Sequence, residues 1–122
     1  MKLHLTNDEP IFIQIARFIE DGILQEWILE EEKVPSTNEF AKFYQINPAT
    51  VRKGMNLLVE RHILYKKRGI GMFVQKGAKE SIREERIKTF KEDYIEKLVR
   101  EANKIGICKK ELIQMLEEVE ET

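Results

Sequence analysis

Small polar and cationic side chains crowd one short stretch, at Asn47, Thr50, Arg52 and Lys53, and Lys66, Lys67, Arg68 and Gly69 follow soon after. Carboxamides, hydroxyls and guanidinium groups donate directional hydrogen bonds to acceptor-rich edges, and lysines supply point charge. The chemistry suited to this set is recognition of a polyanion, with no bond made or broken. Charge distribution points the same way. Residues 42–76 carry eight bases and one acid, a net +7, whereas residues 1–41 carry three bases and nine acids and residues 77–122 carry ten and twelve. A chain of net charge −1 that confines its positive charge to one stretch suits a local polyanion contact. Charge alone leaves a merely solvated cationic face as an equal reading.

Other chemistries find little material. His4 and His62 are the only histidines and Cys108 the only cysteine, so neither a disulfide framework nor a CxxC metal pair exists. Gly69-Ile70-Gly71 is too short for a nucleotide-binding fingerprint, no nucleophile elbow is present, and the acids are dispersed. No catalytic residue, metal site or cofactor is expected. No apolar stretch approaches the ~18 residues of a membrane span, and the N-terminus lacks the pattern of a secretory signal. A cytoplasmic location is expected.

The elements that must position the cationic residues are well punctuated. Pro10 opens a helix with Ile11, Ile15, Phe18, Ile19 and Ile23 at helical spacing, capped by Asp8 or Asn7, and Gly22 weakens its end. Ser36-x-x-Glu39 is a capping box for a short helix from Thr37 to about Phe43. Asn47 is a good N-cap and Pro48 suits the first helical position, where its missing N–H would be unpaired anyway. That helix runs to about Arg61 and buries Val51, Met55 and Leu58. Two helices separated only by Tyr44-Gln45-Ile46 form a helix-turn-helix, whose second helix offers its first residues to base edges in the major groove. An ordinary surface helix start is the alternative. Ile63-Leu64-Tyr65 and Met72-Phe73-Val74, joined by a tip at Arg68-Gly69-Ile70-Gly71, read as a hairpin. A cationic hairpin after a helix-turn-helix is a wing able to reach phosphates or a narrow minor groove.

The remaining residues read as a two-helix tail. Ser81-x-x-Glu84 is a second capping box, and Ile87, Phe90, Tyr94, Leu98, Ala102 and Ile105 recur in steps of three or four until Gly106. Cys108 falls at the boundary of a second helix carrying Leu112, Ile113, Leu116 and Val119. Two helices alone cannot bury such stripes, which must pack on the winged domain, on each other or on a second copy, and a homodimer is the expected solution. The expected dimerisation residues are Ile87, Phe90, Tyr94, Leu98, Ala102, Leu112 and Leu116.

From Pro10 to Val74 the chain resembles the DNA-binding domain of the GntR family of bacterial transcription regulators. The likeness is carried by Pro10-Ile11-Phe12, Gln14-Ile15, Val34-Pro35-Ser36, Glu39, Ala41, Thr50-Val51-Arg52, Leu58, Gly69, Gly71, Phe73 and Val74. The Asn47-Pro48-x-Thr50-Val51 variant and the short tail are similar to the YtrA-type subgroup. Asn38 stands where the family has a phosphate-approaching arginine, Gly54 where it favours alanine and His62 where it favours glycine. The resemblance implies that the short tail dimerises and that the target is the protein's own operon, often one encoding an ABC transporter.

The expectation is thus an α+β, mainly α protein: a winged helix-turn-helix domain over residues 1–76 and a two-helix dimerisation tail over 77–122. It would be a repressor that binds a palindromic operator in double-stranded DNA as a homodimer, through Ser36, Asn38, Asn47, Thr50, Arg52 and Lys53 and the wing residues Lys66, Lys67, Arg68 and Gly69. The tail is too short to enclose a typical pocket, so an unknown small-molecule effector would bind between subunits. A winged-helix module that docks proteins is the alternative.

Overall fold

The structure, a computed structural model, describes residues 2–121. Helix α1, Ile11–Leu24, starts without the expected cap: Pro10 occupies the N-cap position and no side chain caps the helix. The chain before it is held by Gln14 instead. Its amide accepts from Thr6 N at 2.9 Å and donates to the carbonyls of Thr6 at 2.9 Å and Glu9 at 2.8 Å. A buried amide must find partners, and these fasten the N-terminal arm.

Helix α2, Thr37–Tyr44, has the full capping box, with Ser36 Oγ accepting from Glu39 N and Glu39 Oε1 accepting from Ser36 N, both at 3.1 Å. These amide contacts hold the Glu39 carboxyl below its ordinary value. Gln45 adopts φ 56° and stops α2 in the left-handed conformation. Helix α3, Pro48–Glu60, follows at once, with Asn47 Oδ1 accepting from Ala49 N at 2.8 Å. Its far end closes with Ile63 N donating to Leu58 O and His62 N to Val59 O, His62 taking φ 60°. This is a Schellman motif in which histidine occupies the position usually given to glycine.

Ile15, Ile19 and Ile23 of α1 meet Val51, Met55 and Leu58 of α3 in one core, with Phe40 from α2. Strands β1, Leu64–Lys67, and β2, Gly71–Val74, form the antiparallel wing, pairing Leu64 with Val74 through to Lys67 with Gly71. The hairpin tip is therefore Arg68-Gly69-Ile70, one residue shorter than expected. Residues 31–34 add a short third edge that the sequence did not announce. Glu31 N donates to Val74 O, Val74 N to Glu32 O and Val34 N to Met72 O, and Lys33 bridges Phe73.

The first compact unit extends through Arg83 because Ala78 and Ile82 of helix α4, Ala78–Phe90, are buried in this core. Helix α4 begins earlier than the Ser81 capping box predicted. Its N-terminus is capped from a distance by Glu30, which accepts from Gly77 N at 2.9 Å and Lys79 N at 3.2 Å. Those two bonds hold the Glu30 carboxyl below its ordinary value.

The second unit runs from Glu84. The uninterrupted helix expected there contains a π-helical turn, Lys91–Ile95, with Glu96 N donating to Lys91 O, before α5, Glu96–Lys104. Gly106, at φ 76°, ends α5 through bonds from Ile107 N to Ala102 O and Gly106 N to Asn103 O. Cys108 is the N-cap of α6, Lys109–Glu118, and Glu111 Oε1 lies 3.2 Å from its Sγ and 3.4 Å from its N. Among the described residues no helix is long and apolar enough to cross a membrane.

Candidate nucleic-acid interface

The core-facing side of α3 is fixed by Val51, Gly54, Met55 and Leu58, so the side opposite is what the helix offers outward. Ala49, Arg52 and Lys53 lie there at helical spacing, all exposed, with Asn47 exposed at the start and Thr50 half-buried at the edge. Ser36 and Asn38, also exposed, stand at the start of α2. The Ser36 hydroxyl oxygen already accepts from Glu39 N as the cap, which leaves its O–H and one lone pair for an outward partner. Lys53 does not simply extend into solvent: its Nζ lies 4.2 Å from the centre of the Phe12 ring, a cation–π contact that tethers it to α1.

In the wing, strand alternation places Lys66 and Lys67 on opposite faces. Tyr65 and Phe73 stack at 5.8 Å, and Lys67 Nζ sits 4.6 Å from the Phe73 ring centre. Lys67 thus presents its charge from above an aromatic platform. Gly69 has φ 78°, in a turn closed by Ile70 N donating to Lys67 O at 3.0 Å, and Arg68 and Gly69 form the exposed tip.

Lys33 was missed by sequence reasoning. It bridges Phe73, and a Cβ built on Gly71 would come within 2.6 Å of its Cε, so its ammonium end lies against the wing. An isolated lysine in an acidic stretch carries no local signal of that placement. Gly71, at φ 149°, is required by its backbone, a conformation that residues with a Cβ rarely adopt.

No group of three or more His, Cys, Asp or Glu among the described residues could hold a metal ion. In the tail, Ile87, Phe90, Tyr94, Leu98 and Leu116 are exposed in the single chain, with the Phe90 and Tyr94 rings 5.4 Å apart. Ala102 and Leu112 differ from the expectation of a partner-facing stripe. They are 3% and 8% exposed and are covered within the chain itself.

Residues 13–74 match the family model described as bacterial regulatory proteins, gntR family. A GntR family transcriptional regulator from Listeria monocytogenes is 28% identical, with a TM-score of 0.81 over 95% of this chain and 100% of its own. The HTH-type transcriptional repressor YtrA of Bacillus subtilis (strain 168) is 27% identical over 113 residues, which span 93% of this chain and 86% of that protein. The DNA-binding domain of AraR in complex with operator ORE1 is 30% identical, with a TM-score of 0.52, covering 61% of this chain and 93% of the other.

Proposed function

The chain belongs to the gntR family of bacterial regulatory proteins and is a transcription regulator with a winged helix-turn-helix DNA-binding domain, and from that premise we propose that it is a repressor binding a palindromic operator as a homodimer. The observation that carries this reading is the outward face of α3, where Asn47, Arg52 and Lys53 stand exposed on a helix pinned to the core by its other side. Such a rigid mount lets a short first turn enter the major groove. Ser36 and Asn38 then meet phosphates from the start of α2, where amide dipoles favour an anion. Lys66, Lys67, Arg68 and Gly69 reach the backbone from the wing, which sets register without reading sequence. The operator complex of the AraR domain supports this mode of binding.

The homodimer reading rests on the exposed apolar side chains of the tail, above all Ile87, Phe90, Tyr94, Leu98 and Leu116. A second copy covers them, and the resulting two-fold axis presents two α3 helices to a palindrome. Repression of its own operon, in the cytoplasm, is the role that the likeness to the YtrA repressor favours.

The test is Arg52→Ala, measured on an operator selected from random oligonucleotides and on its single-base variants. A guanidinium holding a guanine edge contributes roughly 1–3 kcal/mol of discrimination. The expected result is lost preference at one position in each half-site with folding intact. Unchanged operator affinity would show that α3 does not read DNA.

A further inference from the structure

The winged unit contains a cleft of about 470 Å³ that the DNA-facing residues do not use. Phe18 of α1, Phe40 and Tyr44 of α2 and Trp27 from the loop after α1 line it. The first three rings pack edge to face and tilted, with centres 4.6–6.2 Å apart. Trp27 is 57% exposed, so its ring is open to solvent at the cleft. Its loop is firmly built: Glu26 adopts φ 60° and Trp27 N donates to Gly22 O at 2.8 Å.

Two charged residues also line the cleft, and they are not equivalent. Glu32 is fixed there by accepting from Leu29 N at 2.8 Å. Lys33 turns its Cε–Nζ end toward Gly71 on the wing. Aromatic faces beside a fixed carboxylate attract a desolvated cation and disfavour an anion.

We propose that this cleft is a binding site for a hydrophobic organic cation, and that its occupancy is felt by the helix-turn-helix. The coupling, which rests on the DNA-binding reading above, follows from the walls. Pro35 directly precedes the Ser36 cap, and Met55 belongs to α3, where its Sδ lies 3.7 Å from Thr37 Oγ1 of α2. A ligand wedged there bears on the joint between the two helices that carry Ser36, Asn47 and Arg52. The effector site then lies inside the winged unit, with no need of a pocket between subunits.

Trp27 is the only tryptophan of the chain and reports directly on the cleft. The full-length protein, without DNA, is titrated with tetraphenylphosphonium and with tetraphenylborate, an anion of the same shape. Saturable change in Trp27 emission with the cation, weaker binding of the anion, and loss of about fivefold in cation affinity in Glu32→Gln are expected. The glutamine keeps an acceptor for Leu29 N, so an unchanged circular dichroism spectrum and melting midpoint are expected with it. Absence of saturation, equal affinity for the anion, or full affinity in Glu32→Gln would overturn the site. A second arm measures operator affinity with and without saturating cation, using Glu32→Gln as control. A shift of about fivefold or more that Glu32→Gln loses supports coupling. Unchanged operator affinity overturns the coupling alone, and a protein that binds no DNA fails the earlier reading while leaving the titration to decide the site.

Discussion

Gly54→Ala opposes two effects of similar size, and the geometry decides between them. Gly54 lies inside α3, where alanine is the better helix former by about 0.8–1.0 kcal/mol. A Cβ there, however, would stand 2.8 Å from the carbonyl oxygen of Phe12, 3.1 Å from Ile15 Cγ2 and 3.2 Å from Ile15 Cβ. The nearest of these atoms is backbone of α1 and cannot rotate aside. Ile15 is fully buried among core side chains. Relief therefore requires α1 and α3 to move apart, which loosens the contact that holds the core together. Overpacking of this kind costs typically 1–3 kcal/mol. Subtracting the propensity gain leaves a net destabilisation of about 1 kcal/mol, or a fall in melting midpoint of roughly 4–8 °C for a domain of this size. Thermal unfolding followed by circular dichroism, with urea melts to check that the slope is unchanged, measures it. A midpoint raised by Gly54→Ala would refute the reasoning, since helix propensity would then outweigh the close approach of the two helices.

His62→Gly should stabilise by about 1 kcal/mol, because His62 holds a left-handed conformation that costs roughly that much for a residue with a Cβ; an unchanged or lower urea midpoint would refute it. Glu30 has a carboxyl held below its ordinary value of 4.5 by the amides of Gly77 and Lys79. Its contribution is therefore complete above that value and is lost as pH falls through the lower, folded value. Glu30→Gln should lower the melting midpoint at about pH 7 and narrow the gap between about pH 7 and about pH 3; an unaltered gap would refute the cap. Sedimentation should give a dimer at micromolar concentration, and Phe90→Glu with Leu116→Glu should give a folded monomer, since both side chains are already exposed in the single chain. A monomeric wild type would refute the assigned role of the tail.

What could be read along the chain was whatever depends on neighbours three or four residues apart. Ser36 with Glu39, Asn47 before Pro48, and the glycine-bearing turn of the wing are satisfied within one helical turn or one hairpin, so their residue types announce them. The apolar face of α3 followed from period alone. The π turn was not foreseen where one uninterrupted helix was expected; Phe90, Tyr94, Leu98 and Ala102 are spaced by fours, which in a 3.6-residue helix drifts by roughly 40° per step, and the extra residue in that turn absorbs such drift. Contacts across long loops left no such trace. Glu30 caps α4 from 47 residues away, so the local Ser81 capping box lost to a carboxylate that only the fold could deliver. Gln14 rather than Asn7 or Asp8 secures the entry to α1, because burial compels its amide to seek the nearby carbonyls. Lys33 meets Gly71 only because residues 31–34 lie along β2. The aromatic cleft likewise joins α1, α2, α3 and a loop, and no local pattern could assemble it. Sequence determined the elements and their charged faces, since those rest on short-range geometry. Tertiary packing decided which polar groups found partners and where a cavity was left, since those depend on atoms brought together from distant parts of the chain.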